Sequence, residues 1–250
     1  MATGLCDIRG RLSACNALWV LVAVNAVVWL ASIVDVKLLH GSMVVALALP
    51  SAPQGLLVRP WSPLTYMFVQ TDFFHLLFNM LWLVCFGRLL MLARGARTLL
   101  WTYVGGGVAG AVVFILAGMI FPAFGGGSLI GSSAAVLAVA VAAAFAVPDL
   151  ELPLWLIGSV KVKWIVAVMC VLFCAGFTGP MTANSAHIGG AAYAALAAIW
   201  HKRGKCRPRK TDDEAAELDR LLDKVKRSGY DSLSRRDKER LFNLSHRVRR

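Results

Sequence analysis

The chain has 250 residues, 58% of them hydrophobic and only 16% charged, and the charges lie outside the apolar runs. That distribution excludes a soluble globular protein and describes an integral membrane protein. The net charge of +12 would suit nucleic acid in a soluble chain, but here the basic residues cluster beside apolar segment ends and in one tail, where control of membrane topology accounts for them and no nucleic-acid partner is implied.

Arg9 and Arg11 precede the first apolar run, residues 17–34, which is too long for a signal-peptide core and lacks a small-x-small exit. It is read as a first span with the amino terminus inside. Residues 35–72 form a long, half-apolar connection. Its run 43–49 is too short to cross a bilayer and is expected to lie in the interface or dip part-way into lipid. A second span over 73–93 places His75 and Asn79 four residues apart, hence on one helix face. A third covers 99–121. Gly125-Gly126-Gly127-Ser128 then gives a flexible lead-in by which the chain drops to Gly131, at a depth where irregular backbone must be covered by protein or water.

The fourth span, 130–147, carries Ser132 and Ser133 near its start, and the fifth and sixth cover 164–178 and 185–200. The last three are short. A span of about 15 residues covers only ~23 Å at 1.5 Å per residue against a ~30 Å hydrocarbon core, so the bilayer thins or Lys161, Lys163 and Trp200 snorkel. After Trp200 the membrane character stops. Residues 201–250 carry 17 basic and 9 acidic side chains. They divide into a basic linker over 202–210 and a helical hairpin over 211–250, with Leu218, Leu221, Leu222 and Val225 on one amphipathic pattern and Leu241, Leu244 and Val248 on the other. Ser228-Gly229-Tyr230-Asp231-Ser232 breaks the two, and Ser234 with Asp237 imitates a capping box. The expected domains are therefore 1–201, the linker, and the hairpin.

Basic clusters fix the orientation: Arg9 and Arg11, then Arg88, Arg94 and Arg97, then Lys161 and Lys163, then Lys202, Arg203 and Lys205 alternate across successive spans, so all fall inside if both termini are inside. His75, Ser133 and His187 then share the outer leaflet, each within the first two turns of its span. None of the six cysteines falls in an outer segment, so no disulfide is expected. Cys170 and Cys174, without histidines, read as packing rather than as a metal site.

A serine and a histidine at matching depth suggest a buried nucleophile and base, because polar groups inside a membrane are costly to hold. GxSxG-like strings also mark the nucleophile elbow of soluble hydrolases, but that elbow needs a preceding core strand, which this pattern lacks. Membrane serines more often serve as small interface residues, and a lone histidine is more often a satisfied interior group. The small residues Gly190 and Ala194 on span six and Ala140 and Ala144 on span four would let the two backbones approach closely enough for a Ser–His hydrogen bond. His75 and Asn79 could donate to an oxyanion, or form an interhelical hydrogen-bonded pair. Asp72 belongs at the outer surface and Asp149 and Glu151 inside, so a dyad fits better than a triad. No cofactor or metal is called for.

Taken together, His75-x-x-x-Asn79 in span two, Gly131-x-Ser133-x in span four and His187 followed by Gly189 and Gly190 in span six resemble the rhomboid family of intramembrane serine proteases, over about residues 15–201. The resemblance implies an all-α membrane protein with a six-helix bundle. It implies Ser133 as nucleophile, His187 as base, and His75 and Asn79 as oxyanion donors beside the Ser133 backbone N–H, with Gly131 and Gly190 in support. It further implies a bacterial inner membrane, transmembrane proteins as substrates and partners alongside the lipid bilayer, and a first loop that is partly embedded. Four positions depart from the family's usual pattern. Ala134 replaces a glycine and is expected to add a Cβ beside the oxyanion site. Leu137 stands where an aromatic often supports the histidine, Ala194 replaces a glycine, and Met91 takes the place of an acidic residue. An inactive relative that binds membrane helices is the alternative reading; a channel or transporter is a remoter one, since the polar residues stop in the outer half.

Overall fold

A computed structural model describes residues 2–121, 127–154, 158–175, 181–204, 210–230 and 233–248. The expected glycine lead-in at 125–126, the end of span five at 176–178 and the linker residues 205–209 lie outside the described residues. Two units are distinguished, Met1–Ile199 and Trp200–Arg250.

The first unit begins with α1 (Ala2–Leu38), whose portion Ala17–Leu38 is long and apolar enough to cross a membrane. Near its end Asp35 accepts hydrogen bonds from the backbone N–H of Met43 at 3.0 Å and Val44 at 2.9 Å, and so caps α2 (Ser42–Leu47). The other end of α2 is closed by side chains as well. Arg59 donates to the Val45 carbonyl, the Trp61 indole to Ala46 at 2.9 Å and the Thr65 hydroxyl to Leu47 at 2.8 Å. Helix ends leave unpaired backbone groups, and these side chains satisfy them on both sides of this short helix. The chain continues through β1 (Leu49–Pro50), α3 (Gln54–Val58), α4 (Ser62–Thr65) and a 3-10 turn at Tyr66–Phe68. The apolar run 43–49 is thus divided: Val45 faces outward, whereas Ala48 and Leu49 are buried.

Asp72 starts α5 (Phe73–Arg94) by accepting the His75 backbone N–H at 2.6 Å. A single residue, Gly95, with φ 86°, turns the chain into α6 (Ala96–Ile120), a conformation that favours glycine. Then β2 (Ser128–Leu129) pairs antiparallel with β1, Leu49 opposite Leu129. α7 (Ser133–Ala146) is apolar on every face, and its residues from Ala134 through Val141 are all buried. A helix of that kind has to be surrounded, and α5 and α6 pack along it. The glycines of α6 make the approach close: a Cβ on Gly106 would collide with that of Ala138, and one on Gly110 would stand 2.9 Å from the Ala186 carbonyl.

After α7 an antiparallel hairpin, β3 (Glu151–Leu154) and β4 (Gly158–Lys161), stands where only a loop was expected. Lys163 reaches Asp149 beside it at 2.7 Å and holds that carboxyl below the usual carboxylate range. α8 (Val162–Cys174) and α9 (Met181–Gly204) complete the series, so helices occupy all six expected span positions. Three of the described helices, counting only the Ala17–Leu38 part of α1, are long and apolar enough to cross a membrane, and α7 and α8 are shorter apolar helices. α9 runs past the expected boundary at 201 to Gly204, because the polar residues that end its apolar character are still good helix formers.

In the second unit, α10 (Lys210–Ser228) and α11 (Arg235–Val248) pack on one another with Leu221 and Leu233 buried. Gly229, at φ 79°, ends α10, and the Ser234 hydroxyl accepts the Asp237 N–H at 3.2 Å, the cap its spacing predicts.

Candidate active site

Ser133 is the first residue of α7, reached through Gly131 at φ 119°. A side chain at 131 would be strained, and its Cβ would stand 2.9 Å from the His75 ring, so glycine is required on both counts. The Gly131 N–H donates to the Tyr66 carbonyl at 3.0 Å, and the Tyr66 hydroxyl donates to the Gly107 carbonyl at 2.7 Å, which ties the turn to α6.

On α9, His187 is buried, and its Nε2 lies 2.7 Å from Ser133 Oγ. Its other nitrogen, Nδ1, lies 3.0 Å from the Phe173 carbonyl oxygen at the end of α8. A carbonyl can only accept, so Nδ1 carries the proton and donates. Nε2 then offers a lone pair, and the serine hydroxyl donates to it. The same Phe173 ring and the imidazole form a T-shaped pair, with centroids 5.2 Å apart and planes at 86°.

α9 can come this near because it carries glycine where it meets its neighbours. A Cβ on Gly190 would collide with the Ala134 carbonyl, and one on Gly189 would stand 2.6 Å from the Ala109 carbonyl on α6. The close approach at Gly190 is to the first turn of α7, at Ala134. Ala134 differs from expectation in where its methyl goes. It lies against Gly110 of α6, and it is not among the residues lining the cavity in front of Ser133.

That cavity has a volume of about 450 Å³. His75 and Asn79 line it from α5, Ser133 from α7, Phe173 from α8 and His187 from α9, with Phe74, Phe78 and Trp82 as apolar walls. The four polar residues singled out in the sequence are thus brought to one space. Gly131 lies against the His75 ring and Gly190 against the Ala134 carbonyl, and Leu137 and Ala194 are buried. Met91 lies far along α5, where its carbonyl accepts the Gly95 N–H.

The sequence reading missed Phe173, which looks like one more apolar residue in an apolar helix. It also missed a polar cluster behind the site. Gln70 accepts from Asn79 Nδ2 at 3.1 Å and donates to Asn25 at 3.2 Å and to Ser132 at 3.3 Å. Ser132 and Ser133, adjacent in sequence, therefore face different surroundings.

A family model for the rhomboid domain matches residues 58–203, more than half of the chain. The chain belongs to the rhomboid family. The match covers α4 to α9 and every polar residue of this cavity, while the rhomboid's α10 and α11 fall in a second match, over residues 209–247, to a family of unknown function, DUF6576. Among curated proteins none matches the chain significantly.

Proposed function

We propose that this rhomboid is an intramembrane serine endopeptidase working through a Ser133–His187 dyad. The observation that carries the reading is the 2.7 Å contact between Ser133 Oγ and His187 Nε2, with Nδ1 already committed to a carbonyl. In that state the imidazole can accept only at the atom facing the serine.

As Ser133 Oγ attacks the scissile carbonyl carbon, its proton passes to Nε2, and the carbonyl oxygen takes up the negative charge. Three groups face that oxygen. The Ser133 N–H, in the first turn of α7, has no acceptor within its own helix, and the helix dipole favours negative charge there. His75 and Asn79 supply further donors from α5. The imidazolium then returns the proton through Nε2 to the leaving amine, so the C–N bond breaks and an ester to Ser133 remains. Water, deprotonated by Nε2, cleaves that ester and restores the serine. No metal or cofactor enters the cycle.

The substrates are transmembrane helices of other proteins. Phe74 and Phe78, more than half exposed on the α5 side of the cavity, suit an apolar chain arriving from lipid. We further place the protein in a bacterial inner membrane with six spans, both termini inside and the cavity opening outward, as the basic clusters require. The deciding experiment treats the purified full chain with a fluorophosphonate and with a generic transmembrane substrate. Modification of Ser133 and serine-dependent cleavage are expected. A folded protein that does neither would instead be a relative that binds membrane helices without cutting them.

A further inference from the structure

The side-chain amide of an asparagine is nearly symmetric in shape, and turning it by 180° exchanges donor for acceptor. For Asn79 the difference is decisive, since an N–H facing the cavity would stabilise an oxyanion and a carbonyl oxygen would repel it. Its orientation can be traced through two further side chains to a fixed point. The Leu21 carbonyl in α1 is an acceptor only, and Asn25 Nδ2 donates to it at 2.9 Å and to the Tyr103 hydroxyl at 3.0 Å. Asn25 Oδ1 is thereby turned to Gln70 and accepts from Nε2 at 3.2 Å. The same Nε2 donates to Ser132 at 3.3 Å, which leaves Gln70 Oε1 to accept from Asn79 Nδ2 at 3.1 Å. One Asn79 N–H is used in that bond, Nδ2 has no second acceptor among the described residues, and Asn79 lines the cavity. Asn25, Gln70, Ser132 and Asn79 are all buried, so a flip at any link would set oxygen against oxygen, which is costly for buried groups.

We propose that Gln70 and Asn25 are positioning residues, forming with Asn79 a relay of amide orientations that runs from a backbone carbonyl of α1 and makes Asn79 present its N–H to the cavity. The relay rests on the dyad reading for its purpose and on hydrogen-bond geometry alone for its existence, so the two can be tested apart.

The full chain in lipid vesicles, with asparagine side chains labelled with ¹⁵N and the Asn79 signal identified by its loss in Asn79→Ala, reports the orientation directly. Gln70→Met, close in length, should shift the Asn79 amide signal. So should Asn25→Leu, because Asn25 is hydrogen-bonded to Gln70 and reaches Asn79 through it. An unmoved Asn79 signal in folded Asn25→Leu overturns the relay whatever the activity. In turnover, Gln70→Met should lower kcat about 10- to 100-fold with KM within about threefold, because an oxyanion donor acts mainly in the transition state. Combined with Asn79→Ala it should cost no more than Asn79→Ala alone, within about threefold. Losses that multiply would show that Gln70 acts by another route. A wild type that neither labels nor cleaves, while Asn25→Leu still moves the Asn79 signal, removes the protease reading and leaves the relay standing.

Discussion

Ser133 and His187 owe their relation to where one proton sits. Nδ1–H is bonded to the Phe173 carbonyl and Nε2 faces Ser133 Oγ, so in the proposed mechanism removal of either residue removes the activated nucleophile. Ser133→Ala and His187→Ala should each abolish fluorophosphonate labelling and cleavage, and peptide mapping of Ser132→Ala should still find the label on Ser133. Phe173 contributes in two separable ways, since its carbonyl survives any substitution and its ring does not. An edge-on aromatic contact of this kind is worth about 0.5–1.5 kcal/mol, so Phe173→Leu should slow turnover about 2- to 12-fold. A loss beyond about 100-fold in folded protein would mean that the ring does more than steady the imidazole. The ring also bears on Leu137: the aromatic support that the family pattern led one to look for on α7 is supplied here from α8. Position 137 alone could not reveal this, because the contact joins residues on two other helices, Phe173 on α8 and His187 on α9.

At the level of elements, the site depends on three helices meeting backbone to backbone. Gly106 and Gly110 of α6 receive Ala138 and Ala186, and Gly190 of α9 receives the Ala134 carbonyl. Backbone cannot yield as a flexible side chain can, so Gly190→Ala must displace α9 or α7. Misplacing reacting groups by about 1 Å can cost ~10²-fold, and Gly190→Ala should lower kcat by about that much in protein that still folds. Thermal unfolding alongside turnover separates the two effects, and unchanged kcat would show that the approach at Gly190 is not what sets the dyad distance. The small residues of spans four and six were visible in the sequence as candidates for close packing. Which pairs actually touch was not, because a repeat of alanines on one helix offers several equivalent registers. The glycines opposite, Gly106 and Gly110 on α6 and Gly190 on α9, select among them.

For the molecule as a whole, the two units carry different expectations. α10 and α11 close on their own Leu221 and Leu233, and deletion of residues 208–250 should leave cleavage of a detergent-solubilised substrate within a few fold. Loss of activity with the rest folded would show that the tail acts on the site. In topology mapping, a cysteine at Gly127, where a side chain meets open space, should label from outside intact cells, and one at the exposed Ser159 of the β3–β4 hairpin should not. The reverse pattern would invert the orientation. The membrane class, the positions of the apolar helices and the four polar residues His75, Asn79, Ser133 and His187 that meet at the cavity were all legible in the sequence. Hydrophobic length is a local property, and a polar residue stands out against an apolar background. The β3–β4 hairpin, the closure of α2 by Arg59, Trp61 and Thr65, the role of Phe173 and the link from Asn25 through Gln70 to Asn79 were decided only by the tertiary structure. Each joins groups whose partners lie on other segments, and a hydrogen bond between buried amides is specified by distance and direction, which no spacing along one chain segment contains.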